Sequence, residues 1–278
     1  MLQSLNKFKT MSQRFGVIGH PIAHSLSPVV FRRAFLEFRI DAEIEKFDVP
    51  KEELLGFIKK VRDEKIRGVS VTIPLKDDIL EFLDEVDPVA QEIGAVNTVV
   101  NEDGVLKGYN TDWIGARKSL EETASIKGKT VVVLGAGGAA AAVVYAMRKA
   151  GGTVIILNRT IEKAREMADH FHCGYENLNN LLKHPADILI NTTSVGMTPN
   201  IDESLVPVEY FKSGMTVFDI VYTPMETKLL REAAAAGCQT IPGYKMLLFQ
   251  AEHQFELWFD KKAPLKQMEE SLLDALKK

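Results

Sequence analysis

The sequence is short of cysteine and of long apolar runs. Its 278 residues include two cysteines, Cys173 and Cys238, which are too few for a disulfide framework and lack the paired spacing of a zinc site. A reducing compartment, the cytoplasm, is therefore the predicted location. Every apolar run falls well short of the roughly 20 residues that a membrane span needs, so no membrane association is predicted.

An excess of positive charge is also absent. The 34 Lys and Arg residues against 38 Asp and Glu residues give a net charge of −4, and no basic stripe indicates a nucleic-acid partner. Any anionic ligand must therefore be held by local groups. Residues 1–14 contain no apolar signal core, and we interpret them as a loose leader, although their cationic, acid-free composition leaves a targeting role open.

What the sequence does contain is a regular alternation of strands and helices. The length favours two domains or one large α/β unit, and the alternation predicts βαβ units with a mostly parallel sheet. The first series has strands at about 15–19, 43–49 and 68–74, helices at about 29–38, 52–61 and 77–83, a β-hairpin within 95–110 and a helix at about 113–122.

A second series begins near residue 126 and indicates a second domain. Its predicted strands lie at about 130–134, 153–158, 187–192 and 215–221, and two helices cover about 244–259 and 265–276. The pattern alone leaves open whether these last helices close the second domain or return to the first.

A glycine-rich turn marks the second series as a nucleotide-binding domain. The apolar strand ending at Leu134 is followed by Gly135, Ala136, Gly137, Gly138 and Ala139, and then by an alanine-rich helix. Gly135 permits the tight turn, Gly137 lets the backbone approach a pyrophosphate, and the helix N-terminus supplies N–H donors. The strand–turn–helix order predicts dinucleotide binding.

The next strand indicates which dinucleotide. It ends in Asn158, Arg159 and Thr160, where an NAD site normally has an acid for the ribose hydroxyls. Arg159 is suited to a 2′-phosphate, Thr160 adds a hydroxyl, and Lys163 follows one helical turn later. This pattern favours NADP over NAD, with a solvated Arg159 and a helix-capping Thr160 as the alternative.

Two serines in the segment HSLSP suggest an anion site. Ser27 before Pro28 is typical of a helix start, with serine as the N-cap. If the chain is extended up to that cap, Ser25 and Ser27 point the same way and form a cradle for a small anion. Capping and anion binding are both open at this point.

Other polar residues at strand ends could carry chemistry. Lys76 follows the strand GVSVTIP and Asp112 precedes a helix, although a solvated lysine and a helix cap are the ordinary interpretations of each. Together with Ser25, Ser27, Thr72, Asn97 and Gln250 they describe a site for a polyhydroxylated anion. His20 and His24 lack ligand partners at recognisable spacing, so no metal site is predicted.

Nine motifs occur in a fixed order between about residues 14 and 260: GHPIAHSLSP, GVSVTIPLK, GAVNTVV, GYNTDW, GAGGAA, NRT, NTTSVGM, DIVYTP and GYKMLLFQA. Together they resemble the shikimate dehydrogenase family. The resemblance implies NADP-linked interconversion of 3-dehydroshikimate and shikimate, a step towards the aromatic amino acids. It also implies a discontinuous substrate domain of residues 1–112 and 246–278, with the C-terminal helices returning to it, and a Rossmann-type NADP domain of residues 113–245.

The resemblance further implies roles for individual residues. Lys76 and Asp112 would be the catalytic pair. The remaining substrate ligands would be Ser25, Ser27 and Tyr222 at the carboxylate, and Thr72, Asn97, Asp112 and Gln250 at the ring hydroxyls. The nucleotide contacts would be Gly135, Ala136, Gly137, Gly138, Ala139, Asn158, Arg159, Thr160, Lys163, Ile220 and Gly243.

Two other functions remain open from the sequence. One is a quinate/shikimate dehydrogenase that uses NAD or both cofactors, and the other is an inactive nucleotide-sensing protein on the same scaffold. The role of the bulky Trp113 beside Asp112 is also open, and the core, a lid and the substrate site are the alternatives. Monomer and homodimer are both compatible with the sequence.

Overall fold

The structure, a computed structural model, describes residues 12–277 and contains two six-stranded sheets. Each sheet is mostly or wholly parallel and is covered by helices, which confirms the predicted two-part α/β class with a Rossmann-type half. None of the helices within the described residues has the length and apolar character required to cross a bilayer.

The first sheet has the strand order β2-β1-β3-β5-β6-β4. The strands are β1 (Gln13–Gly19), β2 (Ala42–Asp48), β3 (Gly68–Val71), β4 (Glu85–Val86), β5 (Thr98–Glu102) and β6 (Val105–Tyr109), and the helices are α1 (Ser27–Glu37), α2 (Leu54–Asp63) and α3 (Pro88–Ile93). Strands β5 and β6 form the predicted hairpin, and β5 pairs antiparallel to β3. The carboxyl ends of β1 and β3 therefore lie at one edge, where open α/β sheets bind ligands.

The second sheet is parallel throughout, with the order β12-β11-β10-β7-β8-β9. Its strands are β7 (Thr130–Leu134), β8 (Thr153–Asn158), β9 (Gly174–Asn177), β10 (Ile188–Asn191), β11 (Thr216–Asp219) and β12 (Gln239–Ile241), and its helices are α5 (Gly138–Lys149), α6 (Ile161–Phe171) and α7 (Lys228–Ala235). The chain order reverses between β7 and β10, which creates the crevice where such sheets bind dinucleotides.

Two further helices, α4 (Asp112–Glu121) and α8 (Tyr244–Phe259), connect the two halves, and a third, α9 (Leu265–Leu276), follows α8. Residues of α8 and α9, including Phe255 and Met268, share a buried cluster with Phe15 of β1 and Phe31 of α1. The final helices therefore pack on the first sheet, which answers the question left open by the pattern. The exact domain boundaries stay a prediction.

Several sequence-based boundaries were wrong. Gln13 and Arg14, assigned to the leader, belong to β1, where Arg14 pairs with Glu43 of β2. The helix expected at 77–83 is a 3-10 helix over Asp78–Phe82, and the strand expected to reach Pro74 ends at Val71, because Leu75 N–H closes a turn on Thr72 O at 3.0 Å. The short strands β4, β9 and β12 were not predicted. The prediction of a leader over residues 1–11 lies outside the described residues.

Candidate active site

Lys76 and Asp112 form a buried ion pair at the edge of the first sheet. Lys76 Nζ lies 2.5 Å from Asp112 Oδ2, and the two side chains are 13% and 6% exposed. The Lys76 carbonyl accepts from Val96 N–H at 2.8 Å, so the backbone that carries the lysine is fixed. Neither ordinary interpretation holds, because the lysine is mostly buried and paired with a carboxylate, and the helix cap is Thr111 rather than Asp112.

Asn97 holds the second carboxylate oxygen of this pair. Its Nδ2 donates to Asp112 Oδ1 at 2.9 Å and lies 3.3 Å from Gln250 Oε1. Its Oδ1 accepts from Thr111 N–H at 2.7 Å and from the Thr98 hydroxyl at 2.8 Å. Lys76, Asp112, Asn97 and Gln250 thus form one connected polar cluster, as the sequence predicts for residues of a common site.

Thr72 lies beside this cluster at the carboxyl end of β3. Its N–H donates to Ile18 O at 2.8 Å, and its half-buried side chain packs on Gly19, the last residue of β1. Gln250 approaches from α8 and is anchored by Nε2, which donates to Leu247 O at 2.9 Å. Residues distant in sequence therefore meet at one strand edge.

The serine pair is arranged differently from the prediction. The chain turns before helix α1, with Ser25 N–H donating to Ile22 O at 3.1 Å, so it is not extended up to the helix. Ser27 is the first residue of α1 and Leu26 is its N-cap, while Ser25 Oγ accepts from Ser27 N–H at 3.4 Å. Ser27 is therefore not the N-cap, and the prediction that it caps α1 was wrong. Both serines are buried.

Tyr222 reaches this turn from the second sheet. Burial raises the pKa of its phenol, and a hydrogen bond with the Leu26 backbone opposes that shift. The turn itself is fixed from below by β2, because Lys46 Nζ donates to Ala23 O at 2.5 Å. The three predicted carboxylate ligands, Ser25, Ser27 and Tyr222, therefore surround one backbone segment.

His20 contacts a carboxylate at the end of the neighbouring strand β2. Its Nδ1 lies 3.1 Å from Asp48 Oδ1, which also accepts from Ile22 N–H at 3.3 Å. No group of three or more His, Cys, Asp or Glu side chains within residues 12–277 is arranged to hold a metal ion.

The glycine-rich loop lies directly against the lysine. Gly135 has φ +111°, a conformation that other residues rarely adopt, and α5 begins at Gly138. A Cβ at Gly137 would meet nothing within 4 Å, which leaves its backbone open to a ligand, whereas one at Gly138 would lie 3.4 Å from Lys76 Cβ. The loop Gly135–Ala139 therefore fits a pyrophosphate and borders the Lys76 cluster.

The predicted ribose-phosphate residues follow β8 on the adjacent strand. Asn158 Nδ2 donates to Thr160 O at 2.8 Å, which shapes the turn, and Thr160 is the N-cap of α6 without a side-chain cap bond. Arg159 and Lys163 are exposed, and within the described part of the chain the Arg159 guanidinium has no ion-pair or hydrogen-bond partner. This end of the crevice presents two cations to solvent.

Ile220 and Gly243 meet on the other side of the crevice. A Cβ at Gly243 would lie 2.4 Å from Ile220 O, so glycine is required for the close approach of the two segments. The preceding residue, Asp219, is fully buried and accepts from Asn191 Nδ2 at 2.9 Å and from the Thr227 hydroxyl at 2.7 Å. Burial raises the pKa of Asp219 to about 6.

Two residues at the crevice are absent from the predicted site. Thr192 and Thr193 follow β10 at the switch point, and Thr192 Oγ1 donates to Leu134 O at 2.6 Å beside Gly135. The segment NTTSVGM did carry a signal, because a polar run after an apolar strand marks a sheet edge, but the strand order that brings it to Gly135 is not readable from the pattern.

Trp113 belongs to the core between the two halves. Its ring meets Tyr145 of α5 edge-on at 5.6 Å, and it packs against the cluster that includes Ile93 of α3 and Val143 of α5. The lid and substrate-facing alternatives are therefore not supported.

The fold and the site define a class of protein, the two-domain α/β dehydrogenases with a Rossmann-type nucleotide crevice beside a polar substrate site. Three family models match successive parts of the chain: the shikimate dehydrogenase substrate binding domain at residues 17–99, shikimate / quinate 5-dehydrogenase at 116–224, and the shikimate 5'-dehydrogenase C-terminal domain at 243–273.

Individual relatives agree with these matches. The shikimate dehydrogenase (NADP(+)) of Methanosarcina acetivorans is 43% identical over 96% of this chain and 99% of its own. Shikimate 5-dehydrogenase of Thermus thermophilus, solved with NADP(H) and shikimate, is 40% identical with a TM-score of 0.89 and coverage of 95% and 100%. Quinate dehydrogenase of Corynebacterium glutamicum, solved with NAD, is 28% identical with a TM-score of 0.87 and coverage of 95% and 99%. The chain belongs to the shikimate dehydrogenase family.

Proposed function

We propose that the protein catalyses the reversible, NADP-dependent reduction of 3-dehydroshikimate to shikimate. The single observation that carries the proposal is the buried Lys76–Asp112 pair, which lies against the start of the nucleotide helix at Gly138. A proton donor and a nucleotide crevice side by side are what carbonyl reduction requires. The 43% identity to a shikimate dehydrogenase (NADP(+)) along nearly the whole chain supports the substrate assignment.

Each polar group then has a defined task. Lys76 donates a proton or a hydrogen bond to the oxygen that becomes the alcohol, and the Asp112 carboxylate compensates the ammonium charge. Asn97, Gln250, Thr72 and Asp112 bind ring hydroxyls, and Ser25, Ser27 and Tyr222 bind the substrate carboxylate.

The nucleotide crevice suits NADP. When bound, NADPH supplies the hydride for the carbonyl carbon. The loop Gly135–Ala139 would hold the pyrophosphate, and Asn158, Arg159, Thr160 and Lys163 would hold the adenosine end, with the cations at the 2′-phosphate. Ile220 and Gly243 would border the nicotinamide side. We further propose a cytoplasmic enzyme that acts as a monomer or homodimer on small molecules.

One assay separates this function from its rivals. Initial rates measured with NADP and NAD, each with shikimate and quinate, should show the highest kcat/KM for the NADP–shikimate pair. A higher value for NAD or quinate would favour the quinate/shikimate dehydrogenase alternative. If no pair gives a substrate-dependent change in nicotinamide absorbance, the inactive nucleotide-sensing protein is the interpretation that remains.

Replacing Ser25 by alanine should raise the KM for shikimate by roughly 10- to 100-fold, because a hydrogen bond to a charged carboxylate is lost. The KM for NADP should stay within about 2-fold, since the crevice is formed by other segments. Ser213→Ala, an exposed serine of the second half, is the matched control. A larger rise for NADP than for shikimate would refute the position assigned to the carboxylate.

Replacing Arg159 by alanine should raise the KM for NADP by roughly 10- to 100-fold and leave the KM for NAD nearly unchanged, because only NADP carries the 2′-phosphate. Titration of both nucleotides by tryptophan fluorescence should give the same split in Kd. Arg165→Ala, also exposed and on α6, is the control. Equal losses for the two nucleotides would remove Arg159 from the phosphate site.

A further inference from the structure

Gln254 is a fully buried polar side chain that the proposed chemistry does not use. It lies on α8, one turn after Gln250, and is 0% exposed. Its Nε2 donates to Asn97 O at 2.9 Å and to Thr98 Oγ1 at 2.8 Å. Its Oε1 has no hydrogen-bond partner among residues 12–277. An unpaired buried acceptor costs free energy, so a benefit must offset it.

The orientation of this amide follows from the chemistry of its partners. A backbone carbonyl oxygen can only accept hydrogen bonds, so turning the amide would set Oε1 against Asn97 O and lose that bond. Nε2 must therefore face Asn97 and Thr98, and the unpartnered Oε1 is the consequence.

Neither partner depends on Gln254 for a hydrogen bond. Asn97 O also accepts from Val71 N–H at 2.8 Å. The Thr98 hydroxyl also contacts Asn97 Oδ1 at 2.8 Å. If the Gln254 donors were lost, Asn97 O and the Thr98 hydroxyl would each keep another hydrogen bond. The need to pair these buried polar groups therefore does not explain why a glutamine occupies this position.

Its effect is on the direction of the Thr98 hydroxyl. Because Nε2 donates to Thr98 Oγ1, the Thr98 proton is directed to Asn97 Oδ1. That bond and the one that the same Oδ1 accepts from Thr111 N–H at 2.7 Å together hold the Asn97 amide with its Nδ2 towards Asp112 Oδ1, 2.9 Å away. A directed series of hydrogen bonds therefore runs from Gln254 through Thr98 and Asn97 to the carboxylate paired with Lys76.

We propose that Gln254 is a positioning residue, which acts with Thr111 to fix Asn97, through the Asn97 carbonyl and through Thr98, so that Asn97 holds Asp112 in register with Lys76. The proposal rests on the proposed function and adds to it a residue to which that function gives no contact with substrate or nucleotide. It also gives a reason for the unpartnered Oε1. The amide orientation that leaves this oxygen without a partner stabilises the geometry of the site rather than the fold.

Gln254→Met tests this directly, because methionine has a similar shape without donors or a strong acceptor. We expect kcat to fall about 10-fold through misplacement of the catalytic pair, with the KM for NADP unchanged. We expect Tm to stay equal or to rise, since the unpaired acceptor is removed. Leu248→Met, a buried position on the same helix outside the polar cluster, controls for repacking and should keep kcat.

Thr98→Val provides a second, independent variant. It removes the hydroxyl that transmits the effect and should lower kcat to a similar extent, and the double variant should be no slower than the slower single variant. The proposal is overturned if the losses in kcat of the two single variants multiply in the double variant, or if Gln254→Met leaves kcat unchanged. It is also overturned if Gln254→Met lowers Tm or fails to fold, because Gln254 then has a packing role. The wild-type protein is assayed in parallel, so that an inactive wild type counts against the proposed function and not against this inference.

Discussion

Replacement of Lys76 by alanine should lower kcat by about 10²-fold or more, because the group that donates to the forming alcohol oxygen is lost. The Lys76 side chain is 13% exposed, and Asp112 has no other cationic partner among the ion pairs of residues 12–277, so no neighbouring cation replaces the ammonium. The KM for NADP should change little. Steady-state rates in both directions measure the effect.

Folding has to be checked in the same variant. Asp112 would keep its bond from Asn97 but lose its countercharge, and breaking a buried pair on one side costs about 3–5 kcal/mol. Circular dichroism and thermal melting show whether enough folded protein remains. Lys51→Ala removes an exposed ion pair with Asp78 and should leave kcat intact. An unchanged kcat in Lys76→Ala would remove the lysine from the mechanism.

Asp219 should make the protein less stable as the pH rises through the weakly acidic range. Burial raises its folded-state pKa to about 6 from an ordinary value of 3.8. Between these values the folded state holds a proton that the unfolded state has released. Raising the pH through this window therefore lowers the free energy of unfolding, by about 3 kcal/mol for this group alone.

Asp219→Asn isolates this contribution from that of the other carboxylates. The amide oxygen can still accept from Asn191 and Val221 N–H, and its Nδ2 can donate to the Thr227 hydroxyl, which accepts from Leu230 N–H in the wild type. The free energy of unfolding of the variant minus that of the wild type should increase by about 2 kcal/mol between pH 4 and pH 7, the part of the titration that this interval covers. Urea denaturation at several pH values measures it.

Asp187→Asn serves as a control of opposite sign. A bond from Thr130 N–H lowers the pKa of Asp187, so its stabilising contribution is present at neutral pH and is lost on acidification. The two variants should therefore diverge from the wild type in opposite directions as the pH changes. A pH-independent difference for Asp219→Asn would contradict the buried, raised-pKa carboxylate.

Much of the fold could be predicted from local pattern. Strands β7 and β8 and helices α8 and α9 have the predicted bounds, because long apolar periods and a glycine turn specify them independently of the rest of the chain. Strands β4, β9 and β12 have two to four residues, and segments of that length form only when a neighbouring strand provides hydrogen bonds. The α-helix assigned to residues 77–83 was wrong for a related reason. The apolar spacing in a segment of seven residues does not distinguish an α-helix from a 3-10 helix.

The candidate site was likewise predictable only where local sequence pattern specifies it. Lys76, Asp112, Asn97 and Gln250 were chosen from strand ends and family motifs, and their hydrogen bonds join them as expected. The assignment of Ser27 as the cap of α1 was wrong, because the N-cap is Leu26 and the turn from Ile22 to Ser25 that precedes it leaves no mark in HSLSP. Gln254 could not be singled out either, since its importance depends on the side-chain geometry of Asn97 and Thr98.

Helices α4 and α8 carry both chain connections between the sheets, and they cross at Gly115, where a Cβ would lie 2.7 Å from Met246 O. The same crossing sets Asp112, at the start of α4, against Gln250 on α8, and Asn97 Nδ2 lies within 3.3 Å of both side chains. A side chain at position 115 would push the two helices apart and would separate these two groups of the candidate substrate site. One backbone contact thus serves both the connection between the sheets and the spacing of the site.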